Sequence, residues 1–130
     1  MRTGFALAIA AMCGMATAVT AAEIAPDDVK IVDSMVEAPL TDTPGDPEAG
    51  RDIFVGRKKG NCLACHVVTS LLDSEQFHGE VGPPLDGVAD TYTPGELRAR
   101  IVNPKIDLPE TIMPSFYRTS GYNRAAEKFA

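Results

Sequence analysis

The hydrophobic pattern divides the chain into stretches of different kinds. Met1-Arg2-Thr3-Gly4 leads into an apolar run from Phe5 to Val19, which ends in Thr20-Ala21-Ala22. A positive start, a short apolar run and a small-residue end are the layout of a secretory signal peptide, with cleavage placed after Ala22. A membrane span needs about 20 apolar residues in succession, and this run is shorter. Pro26, Pro39, Pro44 and Pro47 punctuate the next stretch, and Thr41-Asp42-Thr43-Pro44-Gly45-Asp46 is turn chemistry. Residues 23–45 therefore read as an N-terminal arm, either packed on a domain or partner or serving as a linker.

Helical signals begin at Asp46. Asp46 suits an N-cap, Pro47 the first helical position, and Glu48 the positive end of the helix dipole. Ala49, Ile53 and Phe54 share one side, with Gly50 on a neighbouring line. This helix is expected to run to about Arg57 and to close on Lys58-Lys59-Gly60. Residues 67–81 read as a loop that includes Leu71, Leu72 and Phe77. Two prolines stiffen Gly82-Pro83-Pro84-Leu85. A second helix starts from Thr93 as N-cap, shows Leu97, Ile101 and Val102 as an apolar face, and stops at Asn103-Pro104. Residues 105–117 are irregular around Met113-Pro114, and a last helical segment, 123–130, is cut short by the chain end. Strand alternation and internal repeats are lacking. The pattern predicts an all-α fold with long loops, in which a cofactor supplies part of the core.

Length and charge narrow the picture. The chain has 130 residues, enough for one small domain after processing. Removing residues 1–22 takes away one arginine and no acidic residue, so the formal charge moves from −6 to −7. An acidic chain is repelled by phosphate backbones, which disfavours nucleic acid as a partner. Cys13 also leaves, and of the 3 cysteines only Cys62 and Cys65 remain.

Those two thiols lie in Cys62-Leu63-Ala64-Cys65-His66. Three chemistries fit two thiols and an imidazole so spaced. In haem c attachment each cysteine adds across one porphyrin vinyl group, and the adjacent histidine becomes the proximal iron ligand. A thioredoxin-like redox pair needs a βαβ setting, which the pattern lacks. A zinc site needs a fourth ligand, and His78 is the one other histidine. The motif in an exported all-α chain points to one covalently bound haem c.

A sixth iron ligand must come from elsewhere. Met113 stands in Ile112-Met113-Pro114-Ser115-Phe116, where Pro114 stiffens the loop that would present the sulfur. A thioether favours the ferrous state. The bland alternative is that Met113 fills core space; Met35 and His78 are the other candidates. The proximal imidazole also needs an acceptor for its second N–H. The stiff turn at Gly82-Pro83-Pro84 offers the carbonyl of Pro83, unless it is a simple loop turn. Tyr92, Tyr117, Arg98 and Arg100 could bond haem propionates or be ordinary surface.

Taken in order, Cys62-Leu63-Ala64-Cys65-His66, Gly82-Pro83-Pro84-Leu85 and Met113-Pro114 resemble class I cytochrome c. The resemblance implies that the Pro83 carbonyl holds His66, that Met113 is the distal ligand, and that Gly50 and Phe54 pack on a C-terminal helix. A narrower likeness is to the SoxX family, the monohaem subunits of SoxXA complexes of sulfur oxidation. It rests on Ala38-Pro39-Leu40-Thr41, Gly45-Asp46-Pro47-Glu48-Ala49-Gly50, Lys59-Gly60-Asn61 before the motif, Phe77-His78-Gly79-Glu80-Val81 through Ala89, and Ile112 to Tyr117.

That likeness implies a periplasmic electron-transfer subunit that pairs with a SoxA-like cytochrome. The pair forms an enzyme of the L-cysteine S-thiosulfotransferase type acting on thiosulfate, with the sulfur chemistry in the partner and electrons passed to a downstream cytochrome. The alternative is a free-standing carrier of a respiratory chain. The expected organisation is a signal peptide at 1–22, an arm at 23–45 and a cytochrome c domain at 46–130, incomplete at its C-terminal end. Neither nucleic acid nor, after cleavage, a membrane is an expected partner.

Overall fold

A computed structural model describes residues 22–122. Most of the expected signal peptide and the last helical segment, 123–130, lie outside the described residues. Three α-helices carry the fold: α1 (Pro47–Val55), α2 (Val88–Thr91) and α3 (Pro94–Val102). Single 3₁₀ turns lie at Pro26–Asp28, Cys62–Ala64, Thr69–Leu71 and Pro104–Ile106. Among the described residues the only β-type pairings are two isolated bridges, Glu23 with Thr41 and Val32 with Met35. No described helix is long and apolar enough to cross a membrane.

The helix starts follow local chemistry. The Asp46 carboxylate accepts from the N–H groups of Glu48 and Ala49, with Pro47 in the first turn. Thr93 and Glu96 form a reciprocal capping box at the start of α3. The end of α1 differs from expectation. The helix closes at Val55, and Gly56 donates to the Asp52 carbonyl. Lys58, Lys59 and Gly60 belong to the following turn, where the Gly60 N–H returns to the Ile53 carbonyl at 2.9 Å. Asn61 then takes the left-handed backbone, φ 53°, a conformation that asparagine tolerates better than most residues.

The arm packs on α3. Val36, Ala99 and Val102 are buried together, with Val29, Ile31, Leu40 and Tyr117 against them. Asp33 and Ser34, at φ 47° and 64°, form a tight turn that returns the chain so that Val32 and Met35 exchange hydrogen bonds at 2.9 Å. The Val36 N–H then donates to the Gly95 carbonyl at 3.0 Å. The Arg98 guanidinium donates to the carbonyls of Val36 and Glu37.

This docking corrects part of the expected apolar face of α3: Val102 is buried as expected and Leu97 half-buried, but Ile101 is not covered. Gly95, Ala99 and Val102, spaced i, i+4, i+7, face the arm, whereas Ile101 is 49% exposed. The arm, rather than the most hydrophobic stripe, decides which side is covered. On α1, Gly50 has nothing within 4 Å of a β-carbon position, Ile53 is exposed and Phe54 half-buried. The expected C-terminal partner of Gly50 and Phe54 falls outside the described residues.

Candidate haem attachment site

The turn Cys62–Ala64 presents the motif. Asn61 reverses the chain out of the turn after α1, and the N–H groups of Cys65 and His66 both return to the Cys62 carbonyl, at 3.1 and 3.0 Å. Leu63 points inward and is buried. Cys62 and Cys65 are half-buried and share no disulfide. Burial pushes the Cys62 thiol up, a hydrogen bond from its own backbone works against this, and the neighbouring Cys65 adds to the rise. The proton therefore stays on Cys62 at neutral pH.

The stretch from His78 to Leu85 lies along the motif like a second rail. The Gly79 N–H donates to the Leu63 carbonyl at 2.8 Å, the Gly82 N–H to the Cys65 carbonyl at 2.7 Å, and the Leu85 N–H to the Val67 carbonyl at 2.9 Å. Both glycines are required by space. A β-carbon at position 79 would fall 2.1 Å from the Ala64 oxygen, and one at 82 would fall 2.5 Å from His66 Cε1. Pro83 follows, and its carbonyl lies 2.7 Å from His66 Nδ1. Asp86 accepts from the Thr69 N–H at 3.0 Å and from its hydroxyl, which ties the far end of the loop down.

The structure thus brings Cys62, Cys65, His66 and Pro83 together. Met113 is half-buried in the irregular segment after α3. Its N–H donates to the Thr111 hydroxyl, and its carbonyl accepts from Lys105 Nζ at 3.4 Å. The segment is anchored by Ser115 to Asn103, by the Phe116 N–H to the Ile101 carbonyl and by Tyr117 to Glu23 and Ile24. Among the described residues no hydrogen bond joins residues 111–117 to residues 60–85.

The other candidates are accounted for in part. Met35 lies beside the α3 N-terminus, its sulfur 3.9 Å from the Thr93 hydroxyl. Arg98 and Tyr117 are committed to the arm. Arg100 stacks over the Tyr92 ring at 4.3 Å, and its buried Nε has no partner. Sequence reasoning did not single out Gly79, the contact of Gly82 with the imidazole, or a hydrogen bond from the Val68 N–H to His78 Nδ1 at 3.2 Å. The spacing Gly79-x-x-Gly82 beside a proline pair was the available signal for close backbone approach.

Of the chemistries open to these groups, two lose support. Among the described residues no three His, Cys, Asp or Glu side chains converge as a metal-ion cage, against a zinc site. Among the described residues no strand flanks the thiols, against a thioredoxin-like setting. A cavity of about 260 Å³ opens between Val55, Leu63, Ala64 and Phe77; the thiols and the imidazole do not line it.

A helical chain that carries two unbridged thiols within the turn that ends on a carbonyl-anchored imidazole is the class that this fold and site define. A crystal structure of SoxXA from P. pantotrophus matches the chain with a TM-score of 0.77 at 41% identity, covering 83% of this chain and 78% of that one. The chain belongs to the SoxX family. No family model matches it, and no curated protein does.

Proposed function

We propose that this chain is an exported electron-transfer subunit of class I cytochrome c type. It carries one haem c on Cys62 and Cys65, with His66 and Met113 as axial ligands. It pairs with a SoxA-like subunit in thiosulfate oxidation and passes the electrons to a downstream cytochrome.

The observation that carries the reading is the 2.7 Å contact between His66 Nδ1 and the Pro83 carbonyl, beside two free thiols. A carbonyl can only accept, so the ring proton sits on Nδ1 and the lone pair of Nε2 is left for a metal. A second support is apolar surface. Phe77, Val81 and Ile112 are 60%, 67% and 75% exposed, and only four hydrophobic residues are buried among the described ones. Such a thin core suits a fold completed by a large apolar group.

Haem, when bound, supplies a one-electron ferric–ferrous couple. Cys62 and Cys65 tether it through thioethers. His66 donates through Nε2, and the Pro83 carbonyl fixes the tautomer and strengthens that donation. The Met113 thioether would serve as the second protein ligand and would favour the reduced state. With both protein ligands in place the haem would suit a relay, and the sulfur chemistry would fall to the partner subunit.

The test is export of the full chain with a SoxA-like subunit in a host that matures c-type cytochromes. A pyridine haemochrome spectrum should report one haem c per chain, and the two chains should copurify. A chain with haem that elutes alone would instead support the free-standing carrier, and a chain without haem would end both readings.

A further inference from the structure

The rungs that join residues 63–68 to residues 78–85 are backbone bonds in three cases: Gly79 to Leu63, Gly82 to Cys65 and Leu85 to Val67. Any residue with an N–H and enough space could make them. One rung differs. The Val68 N–H donates to a side chain, His78 Nδ1, at 3.2 Å. A ring nitrogen that accepts carries no proton, so His78 is neutral with its hydrogen on Nε2. That Nε2 is buried and has no partner among the described residues.

An unpartnered buried N–H is costly. An apolar ring of similar size would fill the space without that cost. The acceptor at Nδ1 is therefore the feature that makes a histidine useful here. Its place explains why. Cys65 directly precedes His66, and Val68 lies two residues after it. The Cys65 carbonyl is held on one side by Gly82, and the Val68 N–H on the other by His78. Pro83 follows Gly82 directly and meets His66 Nδ1. Without the rung at His78, the chain after His66 is held to the second rail by the Leu85 to Val67 bond and by Asp86.

We propose that His78 is a positioning residue for His66. As a neutral acceptor for the Val68 N–H it sets the register of the two rails, so that the Pro83 carbonyl meets the His66 ring proton. This rests on the reading of His66 as the proximal ligand.

The experiment compares His78→Ala, His78→Asn and His78→Gln with the parent in the exported full chain. The asparagine oxygen can stand near the place of Nδ1, whereas the glutamine oxygen lies one bond further out. Two quantities are read: hydrogen exchange at the Gly82 amide and the His66 ring N–H, and the reduction potential of the bound haem. Alanine and glutamine should speed exchange about tenfold, the factor for one lost hydrogen bond. They should also raise the potential, because a less firmly bonded imidazole is a weaker donor to ferric iron. Asparagine should restore both. Unchanged exchange and potential in His78→Ala overturns the proposal, as does an asparagine variant no better than alanine. A parent chain without haem would defeat the preceding reading instead, and exchange at Gly82 would still judge whether His78 sets the register of the two rails.

Discussion

Gly82 lies against the face of the His66 ring. A β-carbon at position 82 would stand 2.5 Å from Cε1, 2.7 Å from Nδ1 and 2.9 Å from Nε2. The backbone angle at Gly82 is not left-handed, so the position demands a small residue for space alone. The loop that holds the ring through the Pro83 carbonyl thus also leaves no room beside it for a side chain at position 82.

Gly82→Ala is therefore expected to push the imidazole away from the Pro83 carbonyl. Overpacking of this kind costs about 1–3 kcal/mol, and haem retention should fall with it. Thermal melting and haem content of the purified variant check this. A variant equal to the parent in both would show that the loop has slack the structure does not reveal.

The assignment of Met113 as the distal ligand has its own test. Met113→Ala should remove the near-infrared sulfur-to-iron band of the oxidised protein. The potential should fall on the order of 100 mV, a fraction of the roughly 0.8 V range that axial ligands span. An unchanged spectrum would remove Met113 from the iron, with Met35 next to be tried.

The arm is part of the folded unit. Val36 is 4% exposed and packs with Ala99 and Val102. Val36→Ala should cost about 2 kcal/mol, from two lost methyl groups and the cavity they leave. Ala38→Gly, in an exposed stretch of the same arm, should cost much less. Denaturant unfolding of the two variants separates a docked arm from a linker, for which both would be silent.

Tyr117 ties the two ends of the described chain. Its hydroxyl lies 2.7 Å from both the Glu23 carboxylate and the Ile24 carbonyl. The hydrogen bond to Glu23 is the main cause that holds the phenol above its ordinary value of 10.0, with desolvation and the carboxylate charge adding. The folded state thus binds this proton more tightly than the unfolded one. The contribution is fully present below roughly pH 10 and is lost as pH rises through the raised folded value. The melting-temperature gap between the parent and Tyr117→Phe should be constant near neutrality and close above roughly pH 10. A gap that stays level through that range would exclude the phenol proton as its cause.

Some of this was legible in single stretches of sequence. Asp46-Pro47-Glu48 and Thr93-Pro94-Gly95-Glu96 announced their helices because a cap satisfies N–H groups two and three residues away. The Gly56 stop of α1 was harder to read, since three candidate closing residues follow it closely. The four-residue α2 was not foreseen. Its N-cap is Gly87 in the left-handed conformation, φ 70°, and it is too short to show a hydrophobic period.

The motif at Cys62–His66, the stiff turn at Pro83 and the two capped helices depend on residues within a few positions of each other, and the sequence carried them alone. The tertiary structure decided the rest. It chose Ala99 over Ile101 as the buried side of α3, because Val36 and Arg98 meet across 62 residues of chain. It gave His78 its neutral acceptor role and Gly82 its need for space, because both depend on what the other rail places opposite them. Capping and turn chemistry are satisfied by near neighbours; burial, ring contact and register are properties of a partner that only folding supplies.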